Sequence, residues 1–132
     1  MRRIISFLFL LSATLAAQPY SPNQPYSPNQ DRFLFNRVRN DLDHAANYPY
    51  ASRADRKRFD EARRDLFDFE ARFDQGRYEK RELDHAIDRI QNVVGHNSLD
   101  PRDRGALEDD LRKMRDYRAY RDNHVYRDYG YR

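Results

Sequence analysis

Phe59, Ala62, Leu66, Phe69 and Phe73 recur at spacings of three, four, three and four residues within a segment otherwise dominated by Arg, Asp and Glu. An apolar stripe of that period has one regular solution, an amphipathic α-helix that buries its seam against other helices. Ser52 stands before the stripe as an N-cap, with Asp55 three residues on in a capping-box position. Gly76 follows it as a left-handed C-cap.

The same reading extends along the chain. Leu34, Val38 and Leu42 recur every fourth residue, joined by Phe35, Ala45 and Ala46, and predict a first helix over residues 31–47. Asn47-Tyr48-Pro49-Tyr50 breaks it, because Pro disfavours helix in the residue before it. A third helix carries Leu83, Ile87, Ile90 and Val94 until Gly95-His96-Asn97. Asp100-Pro101 opens a fourth, Asp as cap and Pro at the first helical position where its missing N–H costs nothing, with Leu107, Leu111 and Met114 inside. Short connections suit antiparallel neighbours, so the expected fold is all-α, an up-and-down bundle of four helices over residues 31–120. The coiled-coil spacing of the second helix fits a seam buried within one chain or between two.

Two internal correspondences point to duplicated helical hairpins. Asp41-Leu42-Asp43-His44-Ala45-Ala46 is echoed by Glu82-Leu83-Asp84-His85-Ala86-Ile87, 41 residues later. Helices two and four match at an offset of 48, where Asp55 meets Asp103, Phe59 meets Leu107, Leu66 meets Met114 and Phe69 meets Tyr117. Because the offsets differ by seven, this reading requires an insertion between them and places His44 and His85 in equivalent positions. Arg56, Asp60, Arg64, Asp68 and Arg72 alternate in sign every fourth residue, as do Asp100, Arg104, Glu108, Arg112 and Asp116. Such ladders read as solvated faces, each pair adding about 0.2 to 0.5 kcal/mol.

The beginning of the chain bears on compartment. Met1-Arg2-Arg3, an apolar run from Ile4 to Ala17 and the small residues Ala16-Ala17 have the form of a secretory signal over residues 1–17, too short for a comfortable membrane span. The expected location is therefore exported, periplasmic or secreted, with no membrane span after cleavage. Gln18-Pro19-Tyr20-Ser21-Pro22-Asn23 is then repeated without change as Gln24-Pro25-Tyr26-Ser27-Pro28-Asn29, and residues 18–30 read as a disordered, Pro-rich linker of polyproline character. Loss of Arg2 and Arg3 with the signal leaves 23 basic groups against 22 acidic ones. The long-range field that draws nucleic acid is then nearly absent, and no nucleic-acid partner is expected. Without Cys the exported domain has no disulfides and relies on packing.

Catalytic chemistry finds little footing. Beyond the signal the chain has no Cys and no Thr, and its four Ser lie in the Pro repeat or at helix starts. A nucleophile elbow and a Gly-rich phosphate loop are both missing. Asp74 to Glu82 resembles the second half of a calcium loop, but the first and third ligand positions fall on Ala71 and Phe73, which offer no side-chain oxygen. No two of His44, His85, His96 and His124 are four residues apart, and no thiolate completes a zinc set. The sequence therefore predicts no enzyme, no cofactor and no metal.

The most distinctive part is the end, where Tyr117, Tyr120, Tyr126, Tyr129 and Tyr131 alternate with Arg118, Arg121, Arg127 and Arg132. Tyr and Arg dominate binding hot spots. The candidate binding residues are Tyr117, Tyr120, Arg121, Tyr126, Arg127, Tyr129 and Tyr131, with residues 121–132 forming an adhesive tail for a protein partner or for self-association.

Arg72-Phe73-Asp74-Gln75-Gly76-Arg77-Tyr78, then Leu83-Asp84-His85-Ala86-Ile87, then Val93 to Arg104, together resemble small exported all-helical bacterial proteins of unassigned function over about residues 52–118. That resemblance implies a helical fold and export, and no activity. Ala51-Ser52-Arg53-Ala54-Asp55 and Leu99-Asp100-Pro101-Arg102-Asp103 occupy places comparable to the two Leu-Thr-x-x-Gln motifs of periplasmic stress chaperones of the Spy and CpxP kind, without their Thr and Gln. The sequence thus predicts an exported, non-enzymatic structural or protein-interaction module, with a helical stress chaperone or a metal-binding helical protein as alternatives.

Overall fold

The computed structural model describes residues 28–128, with side chains over residues 30–124. It contains α1 (Pro28–Ala46), α2 (Arg53–Phe73), α3 (Lys80–His96) and α4 (Pro101–Asp128), and no strand among the described residues. Each helix packs on two others, in the cyclic order α1, α2, α3, α4 and back to α1. Cross-helix ion pairs and hydrogen bonds set the directions. Asp43 meets Arg63 while Arg39 meets Glu70, and Arg72 meets Glu82 while Arg58 meets Asn97. Asp84 meets Arg118 while Gln91 meets Arg115, and His44 meets Asp103 while Arg37 meets Asp110. Every adjacent pair is antiparallel, so this is an up-and-down four-helix bundle.

The helix ends follow their local chemistry. Ser52 Oγ accepts from the Asp55 N–H at 3.1 Å while Asp55 Oδ2 accepts from the Ser52 N–H at 3.0 Å, completing the capping box. At the far end of α2, Gly76 takes φ 77°. The Arg77 N–H donates to the Arg72 carbonyl at 3.0 Å, and the Gly76 N–H to the Phe73 carbonyl at 2.9 Å. These two bonds make a Schellman turn, and only a residue without Cβ takes its left-handed position freely. Asp100 Oδ1 caps α4 through the Arg102 N–H at 2.9 Å.

Two boundaries differ from the sequence reading. α1 begins at Pro28, inside the stretch expected to be linker, because Pro tolerates a first-turn position. α4 continues to Asp128, so Arg121 belongs to the bundle and residues 121–128 are helical rather than a tail. Nothing after Met114 in this segment breaks a helix: Pro and Gly are absent until Gly130.

The core takes residues from all four helices, and the α2 seam is buried within the one chain. It also corrects the duplication. At a single offset of 48, Phe35 corresponds to Leu83, Val38 to Ala86, Leu42 to Ile90, Ala45 to Val93 and Ala51 to Leu99. The series continues through Phe59 and Leu107, Ala62 and Asp110, Leu66 and Met114, and Phe69 and Tyr117, with every member buried. The levels of the cross-helix contacts agree, since Asp43 and Gln91, or Glu70 and Arg118, are each 48 apart and meet the partner helix of their own hairpin. The offset of 41 therefore fails for α1 and α3, and no insertion is needed. A seven-residue shift is two helical turns, which keeps the buried face and changes only the height.

Candidate binding site at the aromatic end

Aromatic rings concentrate at one end of the bundle, where α1 begins, α2 turns into α3 and α4 passes alongside. Phe35 meets Phe69 edge-on at 4.8 Å between centroids and Tyr117 at 5.4 Å. Tyr78 meets Tyr117 at 6.1 Å and Phe69 at 6.4 Å, both edge-on. Such pairs add about 0.5 to 1.5 kcal/mol each beyond their burial. The Gly76 turn is what brings Tyr78 back onto this cluster.

Beside the rings lies an open cavity of about 250 Å³, lined by Asp31, Arg32, Phe73, Asp74, Gly76, Tyr78 and Arg121. The Arg121 guanidinium sits 4.6 Å over the Tyr78 ring, a cation–π contact. Asp31 is only 4% exposed, and its Oδ1 accepts no hydrogen bond among the described residues. Burial pushes its carboxyl up from the usual range, against Arg121 and the Tyr117 hydroxyl, which both favour the charged form. The Tyr78 hydroxyl is likewise buried without a hydrogen-bond partner. Burial raises it to about 12, with Asp122 acting in the same direction, so it remains a phenol at neutral pH.

The sequence-predicted residues divide sharply here. Tyr117 is fully buried and is a core residue, not an exposed contact: it fills the place that Phe69 fills in the other hairpin. Tyr120 is half-buried, its ring 4.0 Å from that of His124. Arg121 reaches the cavity. The side chains of Tyr126 and Arg127, and Tyr129 and Tyr131 altogether, lie outside the described residues. A cut after Arg115 would remove Tyr117 from the core. Asp31 and Tyr78, which sequence reasoning missed, left a faint signal. Asp31 stands three and four residues before Leu34 and Phe35, on their face, and Tyr78 lies two residues after the C-cap glycine Gly76.

A second polar cluster lies between α1 and α4. Asp110 is fully buried at a core position. Its Oδ1 accepts from Arg37 Nε at 2.9 Å, while Arg37 also donates to Asp109 at 3.0 Å and faces Asp41 at 3.9 Å. The cations around Asp109, Lys113 and Arg112 foremost, hold its carboxyl far below the usual range. Asp110 moves the other way: its burial outweighs the Arg37 charge, and Asp41 adds to the rise.

His44 Nδ1 lies 2.7 Å from Asp103 Oδ1, whereas His85 lines a groove with Asp65, Asp88, Arg89 and Asn92. Asp103 and Arg118, the α4 partners at those two levels, are fifteen residues apart, or roughly 22 Å along the helix. The two His are at opposite ends of the bundle, not in equivalent places. No group of three or more His, Cys, Asp or Glu placed to hold a metal occurs among the described residues.

The ladder residues Arg56, Asp60, Arg64 and Asp68 are exposed, as expected of a solvated face. The large apolar side chains exposed among the described residues are Phe33, Tyr50 and Phe67, spread over α1, the turn after it and α2. No described helix is long and apolar enough to cross a membrane. No protein-family model, curated protein or solved structure matches the chain.

Proposed function

We propose that this protein is an exported, non-enzymatic interaction module that engages a protein partner through the aromatic end of its bundle. The observation that carries the reading is the open cavity at that end, where Arg121 over Tyr78 stands beside the buried Asp31. Tyr and Arg are the side chains that contribute most when a contact is desolvated, and here both are already held in place by packing. Export rests on the form of residues 1–17, which present a positive start, an apolar run and small residues before the Pro repeat. The buried α2 seam argues for this module over a chaperone, whose work needs an open apolar face.

Site-specific photo-crosslinking tests the reading. A benzoylphenylalanine in place of Arg32, at the cavity, should give a discrete protein adduct in the producing cell. The same group in place of Arg64, on the solvated face, should give none. The adduct should disappear in Tyr78→Ala with far-UV circular dichroism unchanged. Equal yields from both positions, or an adduct indifferent to Tyr78→Ala, would remove the proposal.

A further inference from the structure

We infer that the cavity beside Tyr78 is a docking site for the chain's own Pro-Tyr repeat, with Tyr20 as the inserted ring. The inference rests on the function proposed above, since it gives that same end an internal occupant. It also gives the outside partner a chemical class, a neutral extended segment bearing Pro and Tyr.

Size comes first. A cavity of about 250 Å³ is smaller than the roughly 300 to 1,000 Å³ of small-molecule sites, and suits one side chain. Its charges come next. Arg32 and Arg121 offset Asp31 and Asp74 along the rim, with Arg32 Nε 3.6 Å from Asp74. The site therefore selects for neither sign of ion, and residues 18–29 contain no charged side chain. Polar complementarity is third: a phenol hydroxyl can donate to the exposed Asp74 carboxylate on the cavity rim. Aromatic-lined grooves are also the usual receptors for extended Pro-rich segments, whose ordering entropy is small.

Chain length selects the residue. α1 starts at Pro28, one turn before Asp31 at the cavity. Tyr20 lies eight residues ahead of Pro28, a reach of up to about 28 Å, enough to reverse direction and enter. Tyr26 lies two residues ahead, about 7 Å, with little slack to turn. A tether this short holds the repeat at an effective concentration near the millimolar range, so modest contacts suffice.

The absence of Cys makes the test direct. In the chain of residues 18–132, Asn23→Cys is the sole site for a nitroxide, and broadening of amide signals is read in ¹⁵N-labelled protein. The expected result is loss of the Gly76 and Tyr78 signals, with Ser52 and Asn97 at the other end unaffected. Tyr20→Ser should restore the lost signals and Tyr26→Ser should not. Mixing nitroxide-labelled ¹⁴N protein with unlabelled-Cys ¹⁵N protein should leave them sharp. Intact Gly76 and Tyr78 signals, broadening unchanged in Tyr20→Ser, or broadening in the mixed sample would each overturn intramolecular docking. The crosslink from Arg32 would persist in those cases if the proposed function holds. Its absence beside intact docking would remove that function instead.

Discussion

Asp110 gives the sharpest energetic prediction. This carboxyl occupies the core position that Ala62 holds in the other hairpin, fully buried, with Arg37 on one oxygen and Asp41 nearby. Burial, the largest effect, raises it from 3.8 to about 6, with Arg37 opposing the rise and Asp41 adding to it. Its folded value lies above its unfolded one, so the folded state binds the proton more tightly, and stability increases as pH falls through 6. Between about pH 7.5 and about pH 5 the gain is about 1 kcal/mol, and the full value of about 3 kcal/mol is reached only below 3.8. Asp31 and Glu70, also raised by burial, act with the same sign. Asp109, held low by its cations, acts oppositely as pH falls below the ordinary carboxylate range. Urea unfolding followed at 222 nm across this range should therefore show a bundle more stable at pH 5 than at neutral pH. Asp110→Asn, which keeps an acceptor for Arg37 and discards the charge, should gain about 1 to 3 kcal/mol near pH 7 and flatten the profile. A wild-type stability that declines steadily from pH 7 to 5, or an Asn variant weaker than wild type at pH 7, would mean that the buried Asp110 charge does not weaken the fold.

Other substitutions separate packing from surface. Tyr117→Ala should cost about 3 to 5 kcal/mol by emptying a fully buried aromatic site, while Tyr120→Ala should cost under about 1 kcal/mol in the same unfolding titration. Gly76→Ala should cost about 1 to 2 kcal/mol through its left-handed backbone alone, because nothing lies within 4 Å of the added Cβ; Asn at that position should be milder. Asn97 donates to the Asp55 carbonyl at 3.1 Å and accepts from Arg58 at 3.2 Å. Asn97→Ala should lose about 1 to 3 kcal/mol and speed amide exchange first at the 47–52 and 97–100 turns.

Much of this architecture is legible in residue order. The period of the apolar residues, the Ser52 and Asp100 caps and the Gly76 turn specify four helices and their connections, because each is a local rule. Height along the helices is less legible. Leu42 matches Leu83 or Ile90 equally well by face, since seven residues return a side chain to the same side, and only cross-helix partners such as Asp43 with Arg63 decide between them. The site follows the same division. Tyr117 stands out in a Tyr/Arg run, yet its partner at the offset of 48 is the seam residue Phe69, which already marks it as core. Asp31 and Asp110 are polar residues on apolar faces, a pattern that an Arg- and Asp-rich sequence hides among its many solvated carboxylates.

On the reading proposed above, one chain forms the whole bundle, and its aromatic end receives a Pro-Tyr segment rather than a second copy of the bundle. Size-exclusion chromatography with light scattering on residues 18–132, compared with residues 18–124, which retain Tyr117 and Arg121, tests it most directly. Both should be compact monomers. A dimer or larger assembly of the full form that dissociates on removal of residues 125–132 would contradict it, making the Tyr/Arg end a self-association element.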